Sequence, residues 1–239
     1  MLTLRNALLT LFATLFLFSC DTLKEVAEGV LSEPTAEEVG KGLREALSNG
    51  AVKASDVLSK PDGYLKSVYK ILLPEEARKV TDRLKGVPGF SNLETELLER
   101  INRGAEDAAK EAGPIFLDAI RQMTIRDATN ILMGQDNAAT EYLKKSTSNA
   151  LYAKFDPKIT ASLDKIGANN LWKKATDAYN SLPMVNKINN DLSDYVTQEA
   201  LKGLFSKVGE EEKNIRRNKL ARTSEILKKV FAKQDTNRK

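Results

Sequence analysis

Histidine is missing from all 239 residues, and cysteine occurs once, at Cys20. Without histidine the chain lacks the commonest zinc ligand and the general base of most serine and cysteine triads. With one thiol, no disulfide can close within a molecule. Aromatic residues make up only 6% of the chain, so a core must be built mainly from Leu, Ile, Val and Ala, which suits helices in close contact. Neither sign of charge dominates: 37 basic against 33 acidic residues leave a formal net charge of +4, too little to point to nucleic acid. The apolar run at residues 7–18 is only 12 residues long. As a helix at about 1.5 Å per residue it reaches roughly 18 Å, against a hydrocarbon core of about 30 Å. Period-two alternation, fixed-length repeats and low-complexity tracts are also wanting, which leaves helix as the expected structure.

What is present begins with that run. Arg5 precedes it, and it closes on Leu17, Phe18, Ser19 and Cys20, with a small residue where a signal peptidase requires one. The quartet resembles a bacterial lipoprotein signal, in which the cysteine is acylated and the peptide before it removed. Phe18 departs from the small residue usual two places before the cysteine, and a secretory signal without lipid is the alternative. The resemblance implies a signal peptide at 1–19, an acylated Cys20 with a tether through residue 34, and a helical body from 35 to 239. It also implies a place in the bacterial cell envelope, facing the periplasm, with the membrane as partner through the anchor. Several acyl chains hold firmly, since each buried methylene contributes about 0.8 kcal/mol.

Along the body, Thr35 with Glu38 reads as a capping box, followed by Val39, Leu43, Ala46 and Leu47 at helical spacing until Asn49 and Gly50. A second helix is expected from Ala51, a turn at Pro61, Asp62 and Gly63, and another helix start at Pro74. The longest element begins at Ser91 or Asn92 and runs to about Met123, with Gly113 and Pro114 as the place for a kink. It carries a small-residue stripe, Ala105, Ala108, Ala109 and Ala112, and then a bulkier one, Ile115, Phe116, Ala119, Ile120 and Met123. Thr124 with Asp127, Asp136 or Asn137, Asp156 with Pro157, Asn170 and Asp191 open further helices. The last, near Ser224, shows Ile226, Leu227, Val230 and Phe231. The expectation is an all-α fold, a single multi-helix domain of roughly nine to eleven helices.

Motifs of chemistry fail on inspection. Ser67 with Lys70 and Ser162 with Lys165 match the S-x-x-K spacing, but the companion triplets of that enzyme class are missing. Gly89, Phe90 and Ser91 start like a nucleophile elbow, and Leu93 stands where its second glycine belongs. Glu106, Asp107, Asp118, Asp127 and Glu141 lie on or near the central helix, where two acids meeting in a cleft could perform acid and base work; helix-surface charge is the plainer reading. From residue 205 onward, eleven basic residues face five acidic ones. Their apolar neighbours at 226–231 favour a docked final helix over a membrane-binding one. Glu212 and Arg216 have the spacing of an ordinary helical ion pair.

Residues 102–106, 116–120, 123–127, 138–142, 191–197, 200–205, 211–216 and 222–231 resemble the family known as domain of unknown function 4197, over the chain from about Val39. The resemblance implies a helical envelope domain with no established catalytic residues. Gly104 stands where it leads one to expect alanine, which loosens the central helix slightly. The expected function is that of a lipid-anchored, non-enzymatic lipoprotein whose helices bind an envelope protein or an apolar ligand in a groove. No catalytic residue, metal or cofactor is assigned, and nucleic acid is not expected as a partner. The alternative is a carboxylate-dependent hydrolase of an envelope polymer, requiring two carboxyl groups about 5 to 10 Å apart in a cleft.

Overall fold

Thr35 accepts a hydrogen bond from the Glu38 backbone at 3.2 Å while the Glu38 carboxylate accepts one from the Thr35 backbone at 2.8 Å, and this capping box starts α1 (Ala36–Leu58). The chain is described by a computed structural model over residues 33–188 and 191–237. The signal, Cys20 and the tether to residue 32 lie outside these. After a long connection come α2 (Glu75–Leu84) and α3 (Leu93–Ala108), a 3-10 turn (Ala109–Glu111), α4 (Ala112–Gln122) and α5 (Ile125–Met133). Then follow α6 (Ala138–Lys165), α7 (Ala168–Asn180), α8 (Ser193–Arg217), a second 3-10 turn (Lys219–Ala221) and α9 (Glu225–Asn237).

Among the described residues the fold is all helix, without strands. Because α3, its 3-10 turn and α4 follow one another without a break, the nine α-helices make eight continuous rods, slightly fewer than expected. Two expected boundaries are not there. Gly50 lies inside α1 rather than ending it. A Cβ at that position would stand 3.4 Å from the Cβ of Glu211, so the glycine admits α8 at close range. Pro157 likewise lies inside α6. Its missing N–H frees only the carbonyl of exposed Ala153, which water can satisfy. In the central rod Pro114 leaves Lys110 without its usual i+4 donor, and the chain tightens into a 3-10 turn over Ala109–Glu111.

The buried apolar residues form one cluster. α6 lies against α8, α3 and α4, while α1 packs on α4, α5, α8 and α9. Ala105, Ala108, Ala109 and Ala112 are all buried, as their stripe predicts. Of the bulkier stripe, Phe116, Ile120 and Met123 are buried, whereas Ile115 and Ala119 are only partly so. Phe116 meets Phe205 edge to face, ring centroids 5.8 Å apart. Gly104 sits where α3 meets α6: a Cβ there would come within 3.2 Å of Leu163 Cδ2. It permits an approach, which corrects the reading that it merely loosens a helix. The final helix docks through Leu227, Val230 and Phe231.

Candidate functional site

The residues 59–74 that join α1 to α2 contain no helix, and α3 and α8 hold them from two sides. Asn102 accepts from the Ile71 backbone at 2.8 Å and donates back to its carbonyl at 2.9 Å, mimicking a strand partner. Four residues along the same face of α3, the Glu106 carboxylate accepts from the Tyr64 and Leu65 backbones, each at 3.2 Å. Arg103 bonds Glu106 at 2.8 Å and Asp62 at 2.9 Å. From α8, the Ala200 carbonyl accepts the hydroxyl of fully buried Tyr64 at 2.7 Å. Gly203 makes room for that ring, since a Cβ there would stand 2.9 Å from Tyr64 Cε1. Tyr195, also on α8, donates to the Leu72 carbonyl at 2.9 Å. Burial drives the Tyr64 hydroxyl pKa sharply upward, so it stays a donor. While the inner side of the loop is fixed, Val68 is 89% exposed and Leu72 63%.

A second buried polar cluster contains the i,i+4 pair expected of Glu212 and Arg216, and does more than pair them. They are 6% and 1% exposed and bonded at 2.8 Å. Glu212 accepts from the backbones of Ala139 and Thr140 at 2.9 and 2.8 Å and from the Thr140 hydroxyl at 2.7 Å. It thereby caps α6, whose own Asn137 makes no side-chain cap. Arg216 donates to the carbonyls of Ile131 and Leu132, at 2.8 and 3.2 Å, closing the end of α5. Anion at a helix start and cation at a helix end both match the dipoles. Arg222 does the same for α8 through the Ile215 and Arg216 carbonyls, and Asp235 and the Phe231 ring hold it.

The acids singled out from the sequence are spread among such structural duties. Glu106 belongs to the loop, Asp107 pairs with Lys110, Asp118 with Arg121, and Asp127 completes the Thr124 capping box. Glu141 lines a shallow groove of about 600 Å³ between α6 and α8, together with Leu201 and Phe205. The Ser67 hydroxyl donates to the Gly63 carbonyl at 2.7 Å and shapes a turn; Ser162 faces Asp107 at 3.5 Å. Missed by sequence reasoning was an acidic cleft where Asp156 and Asp164 of α6 face Asp191 and Asp194. There the Tyr152 hydroxyl, bonded at 2.6 Å, holds the Asp194 pKa low. In return the Tyr152 pKa rises to about 12. No group of three or more acids among the described residues is arranged to hold a metal ion.

The basic C-terminal stretch is mostly paired. Arg217 meets Asp136, Lys219 and Arg222 meet Asp235, Lys228 meets Glu225, and Lys229 reaches Glu38 of α1. No described helix is long and apolar enough to cross a membrane. The family model described as "Protein of unknown function (DUF4197)" matches residues 33–232. Neither the curated proteins nor the solved structures hold a match to the chain.

Proposed function

The chain belongs to the DUF4197 family, whose model takes in most of its length, and from that premise we propose a lipid-anchored protein of the bacterial envelope that serves as a non-enzymatic interaction module. Anchoring rests on the apolar run at 7–18 followed by Ser19 and Cys20. The interaction role rests on the loop at 59–74. Helix-free connections longer than about 12 to 15 residues are uncommon in compact domains and are usually either functional or unstructured linkers. This one is held by buried Asn102, Glu106 and Tyr64 while Val68 and Leu72 face water. Of the loop's other apolar side chains, Tyr64, Ile71 and Leu73 are buried, so Val68 and Leu72 are the ones it presents outward.

The hydrolase reading draws no comparable support. A general acid needs a raised carboxyl pKa, and in the acidic cleft Asp194 is held low. Two measurements test the proposal. Labelled palmitate should enter the wild-type protein in its host and be lost in Cys20→Ala. A photo-crosslinker at position 68 should capture an envelope component that the same probe at the equally exposed Leu220 does not. Equal labelling of wild type and Cys20→Ala removes the anchor, and indistinguishable capture at 68 and 220 removes the interaction site.

A further inference from the structure

We infer that the loop at 59–74 meets the anionic surface of a lipid bilayer, an inference that rests on the interaction role proposed above and gives it a partner. Between Lys66 and Leu72 the sequence sets Val68 and Leu72 alternately with Lys66 and Lys70. All four side chains are exposed. Apolar tips with ammonium groups on flexible stems beside them are the composition of an interfacial contact. The tips enter the boundary between headgroups and acyl chains, and the lysines extend to the phosphates.

The surrounding charges show where the positive surplus sits. Lys66 shares Asp62 with Arg103, and Arg103 also bonds the buried Glu106. Near Tyr195, which bonds the loop at Leu72, Arg78 and Lys202 stand with Glu76 and Glu199 and cancel; near Tyr69, Glu210 and Glu211 are balanced by Lys207 and Lys53. Lys70 forms no ion pair among the described residues. One cation in excess gives about a fivefold preference for anionic over zwitterionic lipid. Insertion of the two apolar side chains supplies the larger part of the affinity. Because Asn102, Glu106, Tyr64 and Tyr195 already order the loop, contact requires little further ordering. A bilayer, unlike a protein groove, also demands no shape that the loop would have to match.

An environment-sensitive fluorescent amino acid placed at position 68 of the full chain bearing Cys20→Ala, which removes the acyl chains, reads this contact directly. With phosphatidylglycerol vesicles its emission should shift to the blue, at about fivefold less lipid than with phosphatidylcholine. The same probe at Met184 or Leu220, which are 106% and 92% exposed, should stay water-like. Lys70→Glu should abolish the preference for the anionic lipid, and Leu72→Ser should raise the lipid requirement about tenfold. A probe at 68 that stays water-like with both lipids overturns the inference. If that probe stays wet but the photo-crosslinker at 68 captures an envelope protein, the interaction role stands with a different partner. If neither signal appears, both readings fall.

Discussion

Replacing Glu212 by alanine should destabilise the domain more than any other single change on its surface-facing or buried acids. The carboxylate accepts from Ala139 N, Thr140 N, Thr140 Oγ1 and Arg216 Nε, all within 2.9 Å. Truncation would leave the Arg216 guanidinium, 1% exposed, buried without its counter-charge. Breaking a buried pair this way costs about 3 to 5 kcal/mol, and the first turn of α6 would lose its only side-chain cap, worth about 1 kcal/mol. These losses overlap, so about 4 kcal/mol is expected in total. For a domain near 200 residues that lowers Tm by roughly 8 to 16 °C. Urea unfolding followed by circular dichroism at 222 nm measures it, with the m-value unchanged. Glu141→Ala, one residue beyond Thr140 but exposed, serves as the control and should stay within about 0.5 kcal/mol of wild type. If Glu212→Ala falls within 1 kcal/mol or so of that control, the buried bonds do not carry the stability argued for them.

Further tests follow from the same geometry. Gly63→Ala should destabilise by about 2 kcal/mol or more, because the new Cβ would lie 2.5 Å from the Leu58 carbonyl oxygen and 2.6 Å from that of Val57, neither of which can yield; chemical denaturation decides. Asn102→Ala should accelerate amide hydrogen exchange at Ile71 while exchange in α6 stays near its wild-type rate, since it removes the bonds that pin the loop there. Asp235 has its pKa lowered from 3.8, first by its hydrogen bond with Arg222. The stability it contributes is therefore present above that pH and lost as pH falls through the lowered value. Asp235→Asn should flatten the acid limb of the stability curve below pH 3.8, and an unchanged limb in a pH series of urea melts would refute it.

What the sequence disclosed and what it hid divide by distance along the chain. The Thr35 and Thr124 boxes close over three residues, so spacing alone reveals them. Gly50 and Pro157 carry the local chemistry of helix ends, yet both are interior: tertiary approach uses the glycine, and an exposed turn tolerates the proline. Glu212 looked like half of an i,i+4 pair because Arg216 is the only opposite charge three or four residues from it; the backbone donors it caps lie 72 and 73 residues away. The pins of the loop act over 31 to 42 residues from α3 and over 123 and 136 residues from α8. Glu106 drew notice as a candidate acid, but only the fold shows that its carboxylate is occupied by the Tyr64 and Leu65 backbones. The acidic cleft escaped for the same reason, since Asp156 and Asp164 meet Asp191 and Asp194 only when α6 and the start of α8 come together.

The segments that carry the family resemblance coincide with these pins. Residues 102–106 include Asn102, Arg103 and Glu106; residues 211–216 include Glu212 and Arg216; residues 222–231 include Arg222 and Phe231. Each holds a backbone segment or a helix end, and their partners are backbone carbonyls and amides of other elements. Resemblance through such residues transmits an architecture. The side chains that could meet another molecule, Val68 and Leu72 at the loop and Glu141 and Lys144 at the α6–α8 groove, are exposed. Substitutions at the pins should therefore change whether the loop is presented, and substitutions at its tips should change what it meets. Asn102→Ala and Leu72→Ser separate the two. The first should alter stability and contact together, the second contact alone.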